Sequence, residues 1–244
     1  MIELLGMSSP NVVKIVIMLE ELGVPYKLTH VDVFAGEQHS PEFRAKSPNG
    51  KVPVLIDEDG TPVFESAAIL LYLARKYGRF MPPESDADAR RIADQWLMFQ
   101  TASIGPMFGQ YVHFFRYAPT ETYGLKRYAS EAARLLGVLD QRVAESPYLS
   151  GADYGLADIA TWPWIRTADQ MFPLFTEQGI WSRLPALRGW FERIGERPGV
   201  KAGVESIGRL MPDDAAAFQR ADSEAMDRFF GRGKYDHAPT GAAA

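Results

Sequence analysis

The apolar positions of this chain follow two different periods. Ile2 to Leu5 is a short apolar strand, and Val12, Val13, Ile15, Val16, Leu19 and Leu22 then recur at helical spacing, with Lys14, Glu20 and Glu21 off that face. This helix has both boundary signals: Ser9 at N-cap with Pro10 at N1, and Gly23-Val24-Pro25 at its end. Lys27 to Val33 alternates as a second strand, and strand, helix and strand within one crossover unit predict a parallel pair with a right-handed connection. Val52 to Ile56 and Thr61 to Phe64 are apolar, β-branched runs joined by Asp-Glu-Asp-Gly, which predicts an antiparallel hairpin with Gly60 at positive φ. Ser66 is expected to cap the next helix, whose apolar run closes at Arg75, Lys76 and Gly78.

From Ala87 onward the strand-like alternation disappears. Phe80-Met81-Pro82-Pro83-Glu84-Ser85-Asp86 reads as a linker. A long helix follows, carrying Ile92, Trp96, Phe99, Met107, Phe108, Tyr111, Phe114 and Phe115, with a break and kink expected at Gly105-Pro106. A second long helix spans about Thr120 to Glu145, and Tyr154-Gly155-Leu156-Ala157-Asp158-Ile159 starts another, with Asp158 reaching back to the N-cap amide. The predicted fold is an α/β thioredoxin-like domain (1–80, order β-α-β-(α)-β-β-α), a linker (81–88) and an all-α helical domain (89–204). A C-terminal extension (205–244) is expected to hold one short docking helix around Met226, Phe229 and Phe230 and a partly disordered end. Gly231-Arg232-Gly233-Lys234 in that extension lacks the residues of a phosphate loop.

Composition narrows the function. At 244 residues and 46% hydrophobic content the chain can bury a sizeable core, and a net charge of −5 argues against nucleic-acid or anionic-membrane partners. There is no cysteine, so any thiol chemistry must use a thiol brought by a ligand. His30, His39, His113 and His237 show no metal-ligand spacing, and no metal is expected. No signal peptide or membrane span is visible, which leads to the expectation of a soluble, cytoplasmic protein.

Two helix starts carry candidate chemistry. At Ser8-Ser9-Pro10-Asn11 a hydroxyl, an amide and a helix N-terminus converge, although a plain cap is the alternative reading. A thiolate placed there gains roughly 1.5–3 kcal/mol from a hydrogen bond to charge and about 0.3–1 kcal/mol from the helix end. At about 1.36 kcal/mol per pKa unit, the two together lower a thiol from near 8.5 by roughly one to three units. Glu65 and Ser66, before the next helix, suit an ammonium and a carboxylate held together, as on a free α-amino acid, the alternative being a capped helix with a solvated Glu. If the Val52-Pro53 bond is cis, the Val52 backbone is turned to pair with an extended peptide. Tyr111 and Phe114 are candidates for the wall facing a second substrate.

The stretch PNGKVPVLIDEDGTPVFESAAILLYLARKYG resembles the glutathione-binding half of the cytosolic glutathione S-transferases, with their V-P-x-L, E-S and I-L-x-Y-L pattern. The resemblance implies a cis Val-Pro bond, the Val52 backbone on the cysteinyl part of glutathione, and Glu65 and Ser66 on its γ-glutamyl end. Classes with a catalytic Ser in a Ser-Ser-Pro turn would use Ser8; the bacterial nu-like class, with Thr-Pro-Asn, implies Ser9 and Asn11. Gly36-Glu37-Gln38 with Ser40-Pro41-Glu42-Phe43 resembles the nu-like segment whose Gln, here Gln38, contacts the glycyl part, and WLMFQTASIGPMFGQYVHFF resembles the nu-like helix. Ser9 and Asn11 are therefore the expected activating pair, with Ser in place of Thr, and the Arg-Tyr pair on the second long helix implies Arg127 near a glutathione carboxylate. What the resemblance implies is a homodimeric, nu-like glutathione transferase with disulfide-bond reductase activity. A transferase for another electrophile and a non-catalytic glutathione binder are the alternatives.

Overall fold

The computed structural model describes residues 1–231; the expected disordered end and most of the Gly231–Lys234 stretch lie outside them. Strand β1 (Ile2–Gly6) leads to helix α1 (Pro10–Leu22), strand β2 (Tyr26–His30), the short helix α2 (Pro41–Lys46), strands β3 (Val54–Ile56) and β4 (Pro62–Phe64) and helix α3 (Ser66–Tyr77). β2 runs parallel to β1, β3 antiparallel to β1 and β4 antiparallel to β3, giving the order β2-β1-β3-β4 and the expected thioredoxin-like layout. β2 stops three residues early because Val31 and Val33 turn into a small core with Leu5, Phe34, Phe43 and Val54. The Val52–Pro53 bond is cis, and β3 begins just after it.

The second half is helical: α4 (Ala87–Phe99), α5 (Gly105–Tyr117), α6 (Thr122–Glu145), α7 (Leu156–Met171), α8 (Pro173–Thr176), α9 (Pro185–Gly195) and α10 (Pro198–Gly208). The extension holds two helices rather than one, α11 (Met211–Arg220) and α12 (Ser223–Phe230). The predicted break at Gly105-Pro106 is instead one π-helical turn, Gln100–Ile104, which leaves α4 and α5 continuous. Pro106 has no N–H to give the preceding turn, and a widened turn in which the Gly105 amide bonds the Gln100 carbonyl absorbs the mismatch. Gly105 leaves room there: a Cβ on it would stand 3.2 Å from the Gln100 amide nitrogen and 3.5 Å from the Trp164 ring.

Helix α1 is the centre of the molecule, and its polar side is not solvated. Every residue from Val12 to Leu19 is buried, because α10, α7 and α3 all pack on this helix; Lys14 is included, enclosed on the side of α3 and the π-helical turn. Gly199 and Gly203 permit the approach of α10; a Cβ on Gly203 would come within 3.1 Å of the Ile17 Cα and 3.2 Å of its amide nitrogen. Glu20 and Glu21, which lie off the apolar stripe, are taken up at this seam. Glu20 accepts from the Tyr26 hydroxyl at 2.7 Å and the Ser206 hydroxyl at 3.1 Å, and Glu21 forms a two-pronged pair with Arg197 at 2.7 and 2.9 Å. The helical stripe gave the right face of α1 for the sheet, but a one-sided pattern cannot report a second partner with polar complementary groups.

The start of α7 is fastened as the sequence suggests. Asp158 Oδ2 accepts from the Gly155 amide at 3.1 Å, while its Oδ1 accepts from the Leu149 amide at 3.0 Å and the Trp190 indole at 2.8 Å. A side chain at position 155 would press on the Phe80 carbonyl, 3.0 Å from the place of a Cβ, and that carbonyl accepts from the Leu156 amide at 2.9 Å. The backbone of Phe80 thus satisfies a helix-start donor next to a glycine N-cap that has no side chain to offer. Asp158→Ala orphans three buried N–H donors at about 1–3 kcal/mol each, so a loss of at least about 3 kcal/mol is expected in urea unfolding, with the midpoint shifted and the slope kept.

Candidate active site

Ser9 occupies the N-cap of α1 with φ −90° and ψ 154°, yet its hydroxyl makes no capping bond. The Ser9 backbone carbonyl accepts from the Val12 and Val13 amides at 2.9 and 3.0 Å, and Pro10 removes one more donor, so the helix start does not draw on the side chain. The hydroxyl remains available to a ligand. The Ser8 amide, by contrast, is committed to Asp214 Oδ2 on α11 at 2.7 Å.

Two donors fix Asn11. The Trp164 indole N–H, which can only donate, reaches Asn11 Oδ1 at 3.3 Å, and the Ser66 hydroxyl reaches the same oxygen at 3.5 Å. The carboxamide oxygen therefore faces inward, and its NH2 group is the part left to meet a ligand. Behind Ser66 lies Lys14, 1% exposed, whose ammonium donates to Ser66 Oγ at 3.2 Å and to Gln100 Oε1 at 2.8 Å. Burial pushes the Lys14 ammonium down from 10.5 to about 7, with the Glu65 carboxylate opposing the shift. Lys14 and Asn11 come from α1, Ser66 from α3, Gln100 from the π-helical turn and Trp164 from α7, so both halves of the chain build this network.

Ser66 does not cap α3 as expected. Glu65 holds the N-cap position at φ 66° and ψ 116°, a backbone region that a residue with a Cβ occupies only under strain, and Ser66 is the first helical residue. The turn leaves Glu65 exposed, with its carboxylate accepting from the Asn49 amide at 3.1 Å, and directs the Ser66 hydroxyl towards Asn11 and Lys14. Val52, half-buried, precedes the cis bond. Gln38 is buried under its loop, with its NH2 on the Val33 carbonyl at 2.9 Å and its oxygen unpaired. Arg127 is exposed on α6, 3.6 Å from Glu131, and does not line the cavity beside Ser9.

That cavity, about 530 Å³, lies between Ser9, helices α5 and α7 and the C-terminal helix α12. Neither proposed wall residue reaches it. Tyr111 is 2% exposed and packs edge-on against Phe172, and Phe114 stacks on Tyr128. The face of α5 that lines the cavity is Gly109, Val112, His113 and Arg116, one step out of phase with the aromatic stripe, because the bulkiest side chains are consumed by the core. Phe229 and Phe230 of α12 supply aromatic wall instead. The extension is docked by Phe34 against Phe218 and Phe229, at ring-centre distances of 5.4 and 4.8 Å, by Arg220 on Asp32 at 3.1 Å and by Asp214 on His30 at 2.9 Å.

Known proteins share the fold and much of the sequence. Residues 8–76 match the glutathione S-transferase N-terminal domain and residues 122–193 the C-terminal domain. The disulfide-bond oxidoreductase YfcG of Escherichia coli (strain K12) is 43% identical over 206 residues, covering 81% of this chain and 92% of its own. This chain belongs to the glutathione S-transferase family. A crystal structure of a glutathione transferase family member from Pseudomonas fluorescens Pf-5, with two glutathione molecules bound, is 42% identical with a TM-score of 0.76 and covers 84% of this chain and 92% of its own. A glutathione transferase from Pseudomonas putida, with one glutathione disulfide bound per subunit, is 37% identical at the same TM-score, over 83% and 90% of the two chains. Among the described residues of this transferase no group of three His, Asp or Glu is placed to hold a metal ion, and no helix is long and apolar enough to cross a membrane.

Sequence reading missed Lys14, Gln100 and Trp164, which hold the site from behind. The available signal was a lysine one turn after Asn11 on an otherwise apolar helix, which amphipathicity assigns to solvent. Because the Lys14 folded-state pKa, about 7, lies below the ordinary 10.5, the unfolded chain binds more protons between those values. The contribution is therefore a penalty, full below about pH 7, that disappears as pH rises towards 10.5, on the order of several kcal/mol in all. Lys14→Met is expected to flatten the rise of stability with pH across that window, read as denaturant midpoints at pH 7 and pH 9.5; an unaltered slope would place the titration elsewhere.

Proposed function

We propose that this protein is a glutathione-dependent disulfide reductase of the nu-like type, with Ser9 and Asn11 stabilising the glutathione sulfur as a thiolate. The observation that carries this reading is the unused polarity at the start of α1: a Ser9 hydroxyl with no capping bond beside an Asn11 carboxamide whose oxygen is already engaged. The γ-glutamyl ammonium suits the exposed Glu65 carboxylate, and its carboxylate suits the Ser66 hydroxyl at the α3 N-terminus, next to the Lys14 ammonium. The cysteinyl part pairs with the Val52 backbone, and the glycyl end lies towards Gln38. That arrangement brings the sulfur to the Ser9 and Asn11 donors.

The chain has no cysteine, so the reducing electrons come from glutathione alone. The bound thiolate attacks one sulfur of the substrate disulfide, a glutathione mixed disulfide forms, and the other half departs as a thiolate that takes a proton from water. A second glutathione thiolate attacks the glutathione sulfur of that mixed disulfide, releasing the remaining substrate half as a thiol and leaving glutathione disulfide. Two thiols are oxidised and one disulfide is reduced. Exchange runs best when the attacking thiol has a pKa near ambient pH, which is the range to which the Ser9 and Asn11 donors bring it. The relatives with two glutathiones or a glutathione disulfide bound support a site of this capacity. A cycle that draws on reduced glutathione suits a reducing compartment, the cytoplasm.

Glutathione-dependent turnover of 2-hydroxyethyl disulfide, followed with glutathione reductase, is expected to exceed conjugation of chlorinated aromatics. Asn11→Ala and Trp164→Phe are both expected to raise the pH midpoint of that activity while glutathione affinity changes little, Trp164→Phe because it frees the Asn11 amide to turn. Strong conjugation without disulfide turnover would overturn the reading.

We also infer a homodimer. Phe64 and Met98 are 39% and 46% exposed, large apolar groups left open on β4 and α4. Sedimentation equilibrium is expected to give twice the 27.2 kDa chain mass, and a single-chain mass at micromolar concentration would refute it.

A further inference from the structure

The cavity beside Ser9 has an unusual charge for this protein. The chain carries a net charge of −5, yet the cavity is lined by two arginines, Arg116 and Arg166, and by no Asp or Glu among the described residues. Arg166, on α7, is half-buried and makes no hydrogen bond or ion pair among the described residues. Burial alone pushes its guanidinium below the ordinary value, with no neighbouring carboxylate opposing the shift. Arg116 stands at the exposed edge of the same cavity, over the rings of Tyr117 and Phe218 at 5.4 and 5.8 Å. A half-buried guanidinium without a protein partner keeps its planar set of donors available to an anion that enters the cavity it lines. Val13, Trp164, Met171, Phe229 and Phe230 give the cavity an apolar and aromatic wall. Uncharged or weakly basic polar groups interrupt that wall at Ser8, Ser9, His113, Thr167 and Gln170. A volume of about 530 Å³ falls within the size of small-molecule sites.

We propose that the second substrate is a carboxylate-bearing disulfide, its apolar body against the aromatic wall and its carboxylate on Arg166, with Arg116 drawing it in at the mouth. The proposal rests on the disulfide-reductase reading and names the substrate class for the same site. It also accounts for a rate problem. A glutathione thiolate and an anionic disulfide repel one another in water, and paired cations at the meeting point remove that repulsion, so catalysis over the uncatalysed exchange is greatest for anions. The bonds made and broken are those of the exchange already described, with glutathione as the reductant; Arg166 binds and orients and takes no proton.

Three small disulfides of similar size and different charge test this directly: 3,3′-dithiodipropionate, 2-hydroxyethyl disulfide and cystamine, with uncatalysed rates subtracted. The intact protein is expected to favour the dianion over the dication in kcat/KM by about tenfold or more, the worth of one charge-assisted hydrogen bond. Arg166→Gln should collapse that ratio and Arg166→Lys should keep a part of it. Equal kcat/KM across the series, or a preference that survives in Arg166→Gln, overturns the anion site while leaving disulfide reduction intact. If no disulfide is turned over, the reductase reading fails, and the anion site is judged by calorimetry with 3,3′-dithiodipropionate in the presence of S-methylglutathione. Binding that Arg166→Gln abolishes upholds the site, and absence of binding refutes it.

Discussion

A primary ammonium sealed inside a protein must be surrounded by acceptors or lose its charge, and Lys14 sets that requirement at the middle of this fold. Its two acceptors come from opposite halves of the chain: the Ser66 hydroxyl at the first turn of α3 and the side-chain amide oxygen of Gln100 in the π-helical turn. Gln100 is in reach because Pro106 forces a widened turn and Gly105 has no Cβ to obstruct the amide. Ser66, held by Lys14, in turn holds the oxygen of Asn11, which Trp164 holds from the other side. The chemistry-bearing NH2 of Asn11 is thus positioned by a buried cation that does not itself face the cavity.

The same helix reconciles two demands. As a helix sandwiched between a sheet and α10, α1 needs an apolar surface nearly all round, and Val12 to Leu19 supply it. As the floor of a site it needs polar groups at its first turn that its own backbone does not consume. Pro10 and the doubly accepting Ser9 carbonyl meet that second need by satisfying the helix start without the hydroxyl. Glu65, in a strained backbone region, is the complementary arrangement at α3, where the chain turns so that a hydroxyl points inward and a carboxylate outward.

The parallel strand pair, the hairpin and the starts of α1 and α7 were legible because each is written in adjacent residues: Pro at N1, Gly at a turn, alternating apolar positions; the start of α3 was read one residue late, at Ser66 instead of Glu65. The features that escaped are all long-range. Lys14, Glu20 and Glu21 lie off the apolar stripe because such a stripe records one partner; Glu20 and Glu21 are met at α10, which begins more than 170 residues later with Gly199 and Gly203 making room, and Lys14 is enclosed by α3 and the π-helical turn. The cavity wall was placed on Tyr111 and Phe114 since aromatic weight marks a packed face, whereas the face left open on α5 is the lighter one through Gly109, Val112 and His113. The two helices of the extension were hidden for the same reason: Phe218 and Phe229 mean little until Phe34 is known to stand across from them.

The position of α12 divides the site into parts with different evolutionary freedom. Asn11, at the start of α1, is tied through Ser66 and Trp164 into the buried network, where a change that alters the chemistry also disturbs the packing. Phe229 and Phe230 on α12, Arg166 on α7 and Arg116 near the end of α5 border the cavity from half-buried or, for Arg116, exposed places. Substitution of exposed Arg116 leaves the central packing untouched, in the class of surface changes that cost little stability, whereas Phe229 also docks the extension on Phe34. A lineage can therefore retune which molecule enters by editing the cavity rim while the reaction it performs stays fixed.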